Sequence, residues 1–276
     1  MTVNSELQRV NEWAPMRGFA NMFYKENYAW WRTRRWWVNA IVWIAIICSL
    51  VAFMLFVLPG QAAANNDPSL AEMGGPLALA QNMGLTIFFQ MGALAIGIGT
   101  IILCQGLIAH EKETGLIEWL LAKPVTRRAY ILSKLASSLI AVLVLLIGGP
   151  ALVTIGLFYL RMGLDFPLIP FLQGTGILIA HTAFYLCLTV MLGTFFSKRS
   201  PIMGIAVGTL VGGNVLAGFI SQTLYFTPWG FGRVALSLAS SEPVPAGMLW
   251  PPLISTIILS AVFILVGLVK FEKSEF

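Results

Sequence analysis

Charge is what this 276-residue sequence has least of: Asp, Glu, Lys and Arg make up 11% of it, against about a quarter in soluble domains. So few charges exclude a solvated globular surface over most of the chain. Histidine occurs only as His110 and His181, and His110-Glu111 has no second histidine at the H-E-x-x-H spacing of a zinc hydrolase. Cys48, Cys104 and Cys187 are scattered through apolar runs with no C-x-x-C pair, so a disulfide framework and a zinc site are both excluded. They are expected to serve as small apolar packing residues. There is no G-x-S-x-G elbow, and no acidic pair lies within an apolar run, so an intramembrane enzyme lacks its parts. A G-x-x-x-x-G-K-[ST] phosphate loop is also missing, so any ATPase must be another polypeptide. The 11 methionines do not cluster: Met73, Met83 and Met91 are spread out and Met162 and Met248 stand apart, which suits flexible packing better than copper. Period-2 alternation is absent, which excludes a membrane barrel.

What the chain does have is apolar residues, 58% of the total, gathered into runs. Six are long enough to cross a hydrocarbon core, which takes about 20 helical residues: 38–58, 84–109, 131–158, 171–196, 202–220 and 249–269. The expected fold is all-α, a polytopic membrane protein with six transmembrane helices. Segment 1–37 precedes a membrane domain over 38–270, with an inner loop at 110–130, an outer loop at 221–248 and a tail at 271–276. Of the 17 Lys and Arg, all but Arg161 and Arg233 fall on one side of this topology. Basic loops stay cytoplasmic, so both termini are expected inside a cytoplasmic membrane. The net charge of +5 then meets anionic lipid and requires no nucleic acid. Ala62-Ala63-Ala64 resembles a signal-peptide cleavage site, but the preceding apolar run is too long for an h-region. The first span is expected to stay in place.

Before that span, residues 16–37 carry Phe19, Phe23, Trp30 and Trp37 at helical spacing, with Arg17, Lys25, Arg32 and Arg35 on the remaining surface. That pattern suits a helix in the headgroup layer, serving as an anchor or also as a contact for a cytosolic partner. Two spans carry glycine in register: Gly92, Gly99 and Gly106 every seven residues, and Gly204, Gly208 and Gly212 every four. Such faces let helix backbones approach closely, either within one chain or across a dimer seam. Pro150 is expected to kink the third span. In the outer loop, residues 231–239 are expected to form a short helix between prolines. His181 lies well inside the fourth span and, with Gln90 and Asn214, is a candidate lining of a pathway. A neutral imidazole bonded to a neighbouring helix is the alternative.

The inner loop reads as an amphipathic helix. Leu116, Ile117, Leu120 and Leu121 share a face; Glu111, Glu113 and Glu118 come early, and Lys123, Arg127 and Arg128 follow, in the order a helix dipole favours. Pro124 disfavours helix at Lys123 and should end it there. Lys134, at the start of the third span, is expected to snorkel to the headgroups.

The run Glu111-x-Glu113-x-Gly115, then Leu120-Leu121-x-x-Pro124-Val125-x-Arg127 and Lys134, resembles the inner-loop signature of the type-2 permeases of ATP-binding-cassette transporters. Lys25-Glu26 with Arg34-Arg35, the Ser197-Lys198-Arg199 turn and the proline-aromatic outer segment are similar as well. The resemblance implies that Glu111, Glu113, Gly115, Leu116, Ile117, Leu120, Leu121, Pro124, Arg127 and Arg128 form a coupling helix seated on a separate ATPase. ATP and magnesium would bind that ATPase and no cofactor this chain. The resemblance further implies a permease dimer and export. Trp119 departs from the pattern, being bulky where a smaller or aliphatic residue is expected. A membrane anchor or scaffold for a cytosolic complex would share the basic face and amphipathic helix, but would not account for the glycine faces and in-membrane polar groups.

Overall fold

The computed structural model describes residues 16–65 and 74–274, with Arg35 and Leu121 described by backbone alone. Arg9, Asp67, Glu72 and Met73 lie outside the described residues, as does the very end of the tail. Every regular element among the described residues is helical. In chain order they are α1 (Phe19–Arg32), α2 (35–64), α3 (76–104), α4 (Ala109–Glu113), α5 (Leu116–Leu121) and α6 (127–162), then α7 (Leu168–Phe195), α8 (Arg199–Phe219), α9 (Phe231–Ala239) and α10 (Trp250–Glu272). Six helices are long and apolar enough to cross a membrane, and they overlie the six apolar runs. The N-terminal helix does not run on to Trp37 as its aromatic spacing suggests. It stops at Arg32, and Thr33 is extended (φ −83°, ψ 155°), so α1 leaves the axis of α2.

The first three spans each contain a widened π turn, at Phe53–Val57, Ile87–Met91 and Leu143–Gly148. Two of these turns contain the residue four before a proline, Leu55 for Pro59 and Leu146 for Pro150. A proline ring collides with the carbonyl four residues back and supplies no amide. Widening the turn moves that carbonyl aside, so α2 and α6 continue past their prolines.

α7 is the central helix: most of its residues are buried, whereas few of those in α10 are. Three of its threonines are satisfied locally. The hydroxyls of Thr175, Thr182 and Thr189 donate to the carbonyls of Phe171, Leu178 and Tyr185 at 2.9, 2.8 and 2.7 Å, the usual answer for threonine inside an apolar helix. Phe88 and Phe89 of α3 close on Phe171 with ring centroids 5.0 and 5.2 Å away. Gly174 admits α9, because a Cβ there would lie 2.4 Å from the Ala235 carbonyl oxygen. α10 instead turns Ile254, Ile257, Ile258 and Leu265 outward, each more than half exposed, as a lipid-facing helix does.

Candidate functional site

The inner loop is two short helices that meet at Thr114-Gly115, where Gly115 adopts a left-handed φ of 68°. The bend rotates the apolar face of α5 back onto the protein. Ile117 and Leu120 are buried in the main core together with Met22 of α1 and Tyr130 of α6. Leu116 and Trp119 face outward, 40% and 59% exposed, and the Lys123 ammonium sits 3.7 Å from the Trp119 ring centre. Glu113, Glu118 and Pro124 are exposed alongside them. A partner approaching this loop therefore meets Leu116, Glu118 and Trp119, while Ile117 and Leu120 hold α5 to its own membrane domain.

Lys134 does not snorkel. Its side chain is 2% exposed, and Nζ lies 2.8 Å from Glu111 Oε1 and 3.2 Å from Glu26 Oε1. The Tyr130 hydroxyl donates to the other oxygen of Glu111. α1 and α4 fold over the end of α6, so the ammonium is paired with carboxylates instead of reaching lipid headgroups. One cation thus ties together the N-terminal helix, the inner loop and the third span. Two further contacts fasten the same corner. The Thr126 amide donates to the Arg17 carbonyl at 3.1 Å, and a Cβ at Gly18 would lie 2.9 Å from Val125 Cγ2.

The other inner-loop cations close helix ends. Lys112 Nζ donates to the Thr194 carbonyl at 2.7 Å, at the C-terminus of α7. Arg127 donates to the carbonyls of Phe271, Glu272 and Ser274 at 3.1, 2.5 and 2.7 Å, at the C-terminus of α10. Arg128 pairs with the Glu272 carboxylate at 2.5 Å. Cations suit these ends because the last carbonyls lack amide partners and carry the negative pole of the dipole. Arg127→Gln is expected to fray the last turn of α10 at a cost of about 1–2 kcal/mol. Faster hydrogen exchange confined to residues 269–274 is the check.

The three pathway candidates come together. Gln90 of α3, His181 of α7 and Asn214 of α8 line one cavity of about 170 Å³. The imidazole has room because Gly97 of α3 faces it; a Cβ there would be 3.2 Å from His181 Cε1. His181 is 2% exposed, and its Nδ1 has no hydrogen-bond partner among the described residues. Asn214 Nδ2 is committed to the Leu210 carbonyl at 2.8 Å, which leaves its carbonyl oxygen for the cavity. Trp229 and Arg233 also line it, beside apolar residues such as Leu94 and Leu224. Trp229 and Arg233 are functional candidates that the sequence pattern does not mark, since it assigns them only to an outer loop. The signal available was Gly213, which lies beside Asn214 but off the four-residue glycine register. A Cβ on Gly213 would fall 2.0 Å from the Trp229 ring, so the glycine is what seats that ring on α8.

The two glycine stripes differ. Gly99 packs on Trp43 and Leu146, Gly106 carries the Arg199 guanidinium, and Gly92 meets a carbonyl of its own helix. Gly204, Gly208 and Gly212 of α8 are exposed, and a Cβ at any of them would have nothing within 4 Å.

A family model described as an ABC-2 family transporter protein matches residues 20–276. No curated protein matches the chain. The match takes in nearly all of α1, the inner loop, the polar cavity and all six apolar helices; the chain belongs to the ABC-2 transporter family.

Proposed function

We propose that this chain is the permease subunit of an exporter, driven by ATP hydrolysis on a separate nucleotide-binding subunit in the cytoplasm. Membership of the family makes it a transmembrane component of an ATP-binding-cassette transporter. The observation that carries the finer reading is the convergence of Gln90, His181 and Asn214 from three different helices on one cavity. Polar groups are costly in a membrane and tend to face a bundle interior or pathway, and an anchor would have no use for them there. The exposed face of α5 is the surface offered to the ATPase, and the open glycine stripe of α8 is the seam offered to a second permease copy or a homologous permease. The basic face is cytoplasmic, with both termini on it and the protein in the inner membrane. When two ATPase subunits close on ATP, force on α5 passes through the Lys134 ion network into α6, and the packed helices shift between two arrangements.

The test is purification of the tagged chain from its native membrane in mild detergent, with ATP hydrolysis assayed on whatever accompanies it. A stoichiometric ATPase is expected. Trp119→Asp should lower its recovery at least tenfold, since a central interface tryptophan typically contributes 2 kcal/mol or more. The membrane domain of this variant should melt as the parent does, because Trp119 is exposed. Full recovery of a coupled ATPase with Trp119→Asp would remove α5 as the docking face. A folded chain that brings no nucleotide-binding protein with it would favour the scaffold.

A further inference from the structure

A second and larger cavity, about 320 Å³, opens at the basic face of the bundle between α1, the start of α2, the end of α3 and the first residue of α8. It has roughly ten times the ~30 Å³ that a water molecule occupies in the liquid. Its one strong charge without a countercharge is Arg199. The guanidinium lies on the bare backbone of Gly106, with Nε 3.3 Å and Cζ 3.4 Å from where a Cβ would be. Among the described residues it makes no ion pair and no hydrogen bond, and the one carboxylate in the cavity wall, Glu26, is held by Lys134 at 3.2 Å and Lys25 at 3.5 Å. Gln105, His110 and Thr33 add hydrogen-bonding groups to the wall. Asn39 also lines the cavity; Ala29, Trp30, Ile102, Leu103 and Leu107 make up the apolar part of the wall, and Ile102 is 46% exposed at its edge.

We propose that this cavity binds the phosphate of an anionic phospholipid headgroup from the leaflet at the basic face. A guanidinium presents paired donors that match two phosphate oxygens, and an arginine fork is favoured over a lysine for that geometry. The cavity lies at the ends of apolar spans, and Trp30 in its wall is the residue type enriched where a span meets the headgroup layer. Ile102 and Leu103 then provide an apolar flank for acyl chains, which a free phosphate compound would leave unused. With Glu26 already neutralised by two lysines, the uncompensated charge is that of Arg199, so a headgroup carrying net negative charge is preferred over a zwitterionic one. This site lies apart from the polar cavity of His181 and does not depend on the transport reading.

The experiment uses the purified full-length chain, delipidated in detergent and given phosphatidylglycerol, phosphatidylcholine or inorganic phosphate, with bound lipid counted by native mass spectrometry. The parent chain is expected to retain one phosphatidylglycerol through delipidation and to prefer it about tenfold over phosphatidylcholine. Arg199→Gln should lose that lipid by about tenfold, while Arg199→Lys keeps part of it. Gly106→Leu, which fills the bed of the guanidinium, should match Arg199→Gln. Lys273→Gln, at an exposed lysine outside the cavity lining, should bind as the parent does. Retention by Arg199→Gln equal to the parent, or equal retention of phosphatidylcholine, would overturn the assignment. Displacement of phosphatidylglycerol by millimolar inorganic phosphate would overturn the lipid source and assign the cavity to a soluble phosphate compound.

Discussion

Replacing Lys134 with methionine is expected to destabilise the chain by about 3–5 kcal/mol, the range found when one partner of a buried ion pair is removed. The methionine fits the space, but it leaves Glu111, whose side chain is only 12% exposed, without its ion-pair partner, and Glu26, 11% exposed, with only the half-exposed Lys25 at 3.5 Å. The Tyr130 hydroxyl can satisfy one oxygen of Glu111 but cannot neutralise it. Adding Glu26→Gln and Glu111→Gln to the same chain should recover most of the loss, since a neutral, hydrogen-bonded cluster avoids the cost of uncompensated buried charge. Melting of the detergent-solubilised chain measures both steps. A loss below about 1 kcal/mol for Lys134→Met would mean that the three groups behave as a solvated surface pair. If the ion network also relays force, the triple variant should melt like the parent yet show ATPase activity that no longer responds to the permease. That outcome separates a positioning role from a merely structural one.

Gly174→Ala is expected to cost about 1–3 kcal/mol or more, as overpacking does where the obstructing atom belongs to a backbone. The new methyl would sit 2.4 Å from the Ala235 carbonyl oxygen and 3.0 Å from the Phe89 ring. α9 cannot relieve that contact by rotating a side chain; the whole helix must back away from α7. Because α9 also carries Gly232 and Arg233 into the polar cavity, the displacement should open the cavity's outer wall. Hydrogen exchange over residues 231–239 should accelerate together with the loss of stability. Gly176, about half a turn along on the same helix, is the internal control, because a Cβ there would have nothing within 4 Å. Gly176→Ala should be neutral or stabilising by up to about 1 kcal/mol, from helix propensity alone. Equal melting of the two alanine variants would show that α9 is not seated on Gly174.

The number of membrane-crossing helices and the all-α class could be read directly, because a run of about 20 apolar residues satisfies the bilayer whatever its neighbours are. The inner-loop residues that carry the family resemblance could also be read as a string, and so could the short helix over 231–239, bounded by its prolines. The identities of Gln90, His181 and Asn214 as unusual polar residues were local facts too, since each interrupts an apolar run. None of these depended on what lies beside them in space. The tertiary structure decided which way each face turns. Gly115 bends the inner loop, so Ile117 and Leu120 face inward while Trp119 faces out, a reversal that no periodicity over six residues can encode. Lys134 meets Glu111 across 23 residues of chain and Glu26 across far more; until α1 folds over α6, a lysine at the end of a span has every reason to snorkel. Likewise, the two glycine stripes look equivalent as spacing, yet one packs inside the chain and the other stands open, because packing is a property of pairs of helices and spacing is a property of one.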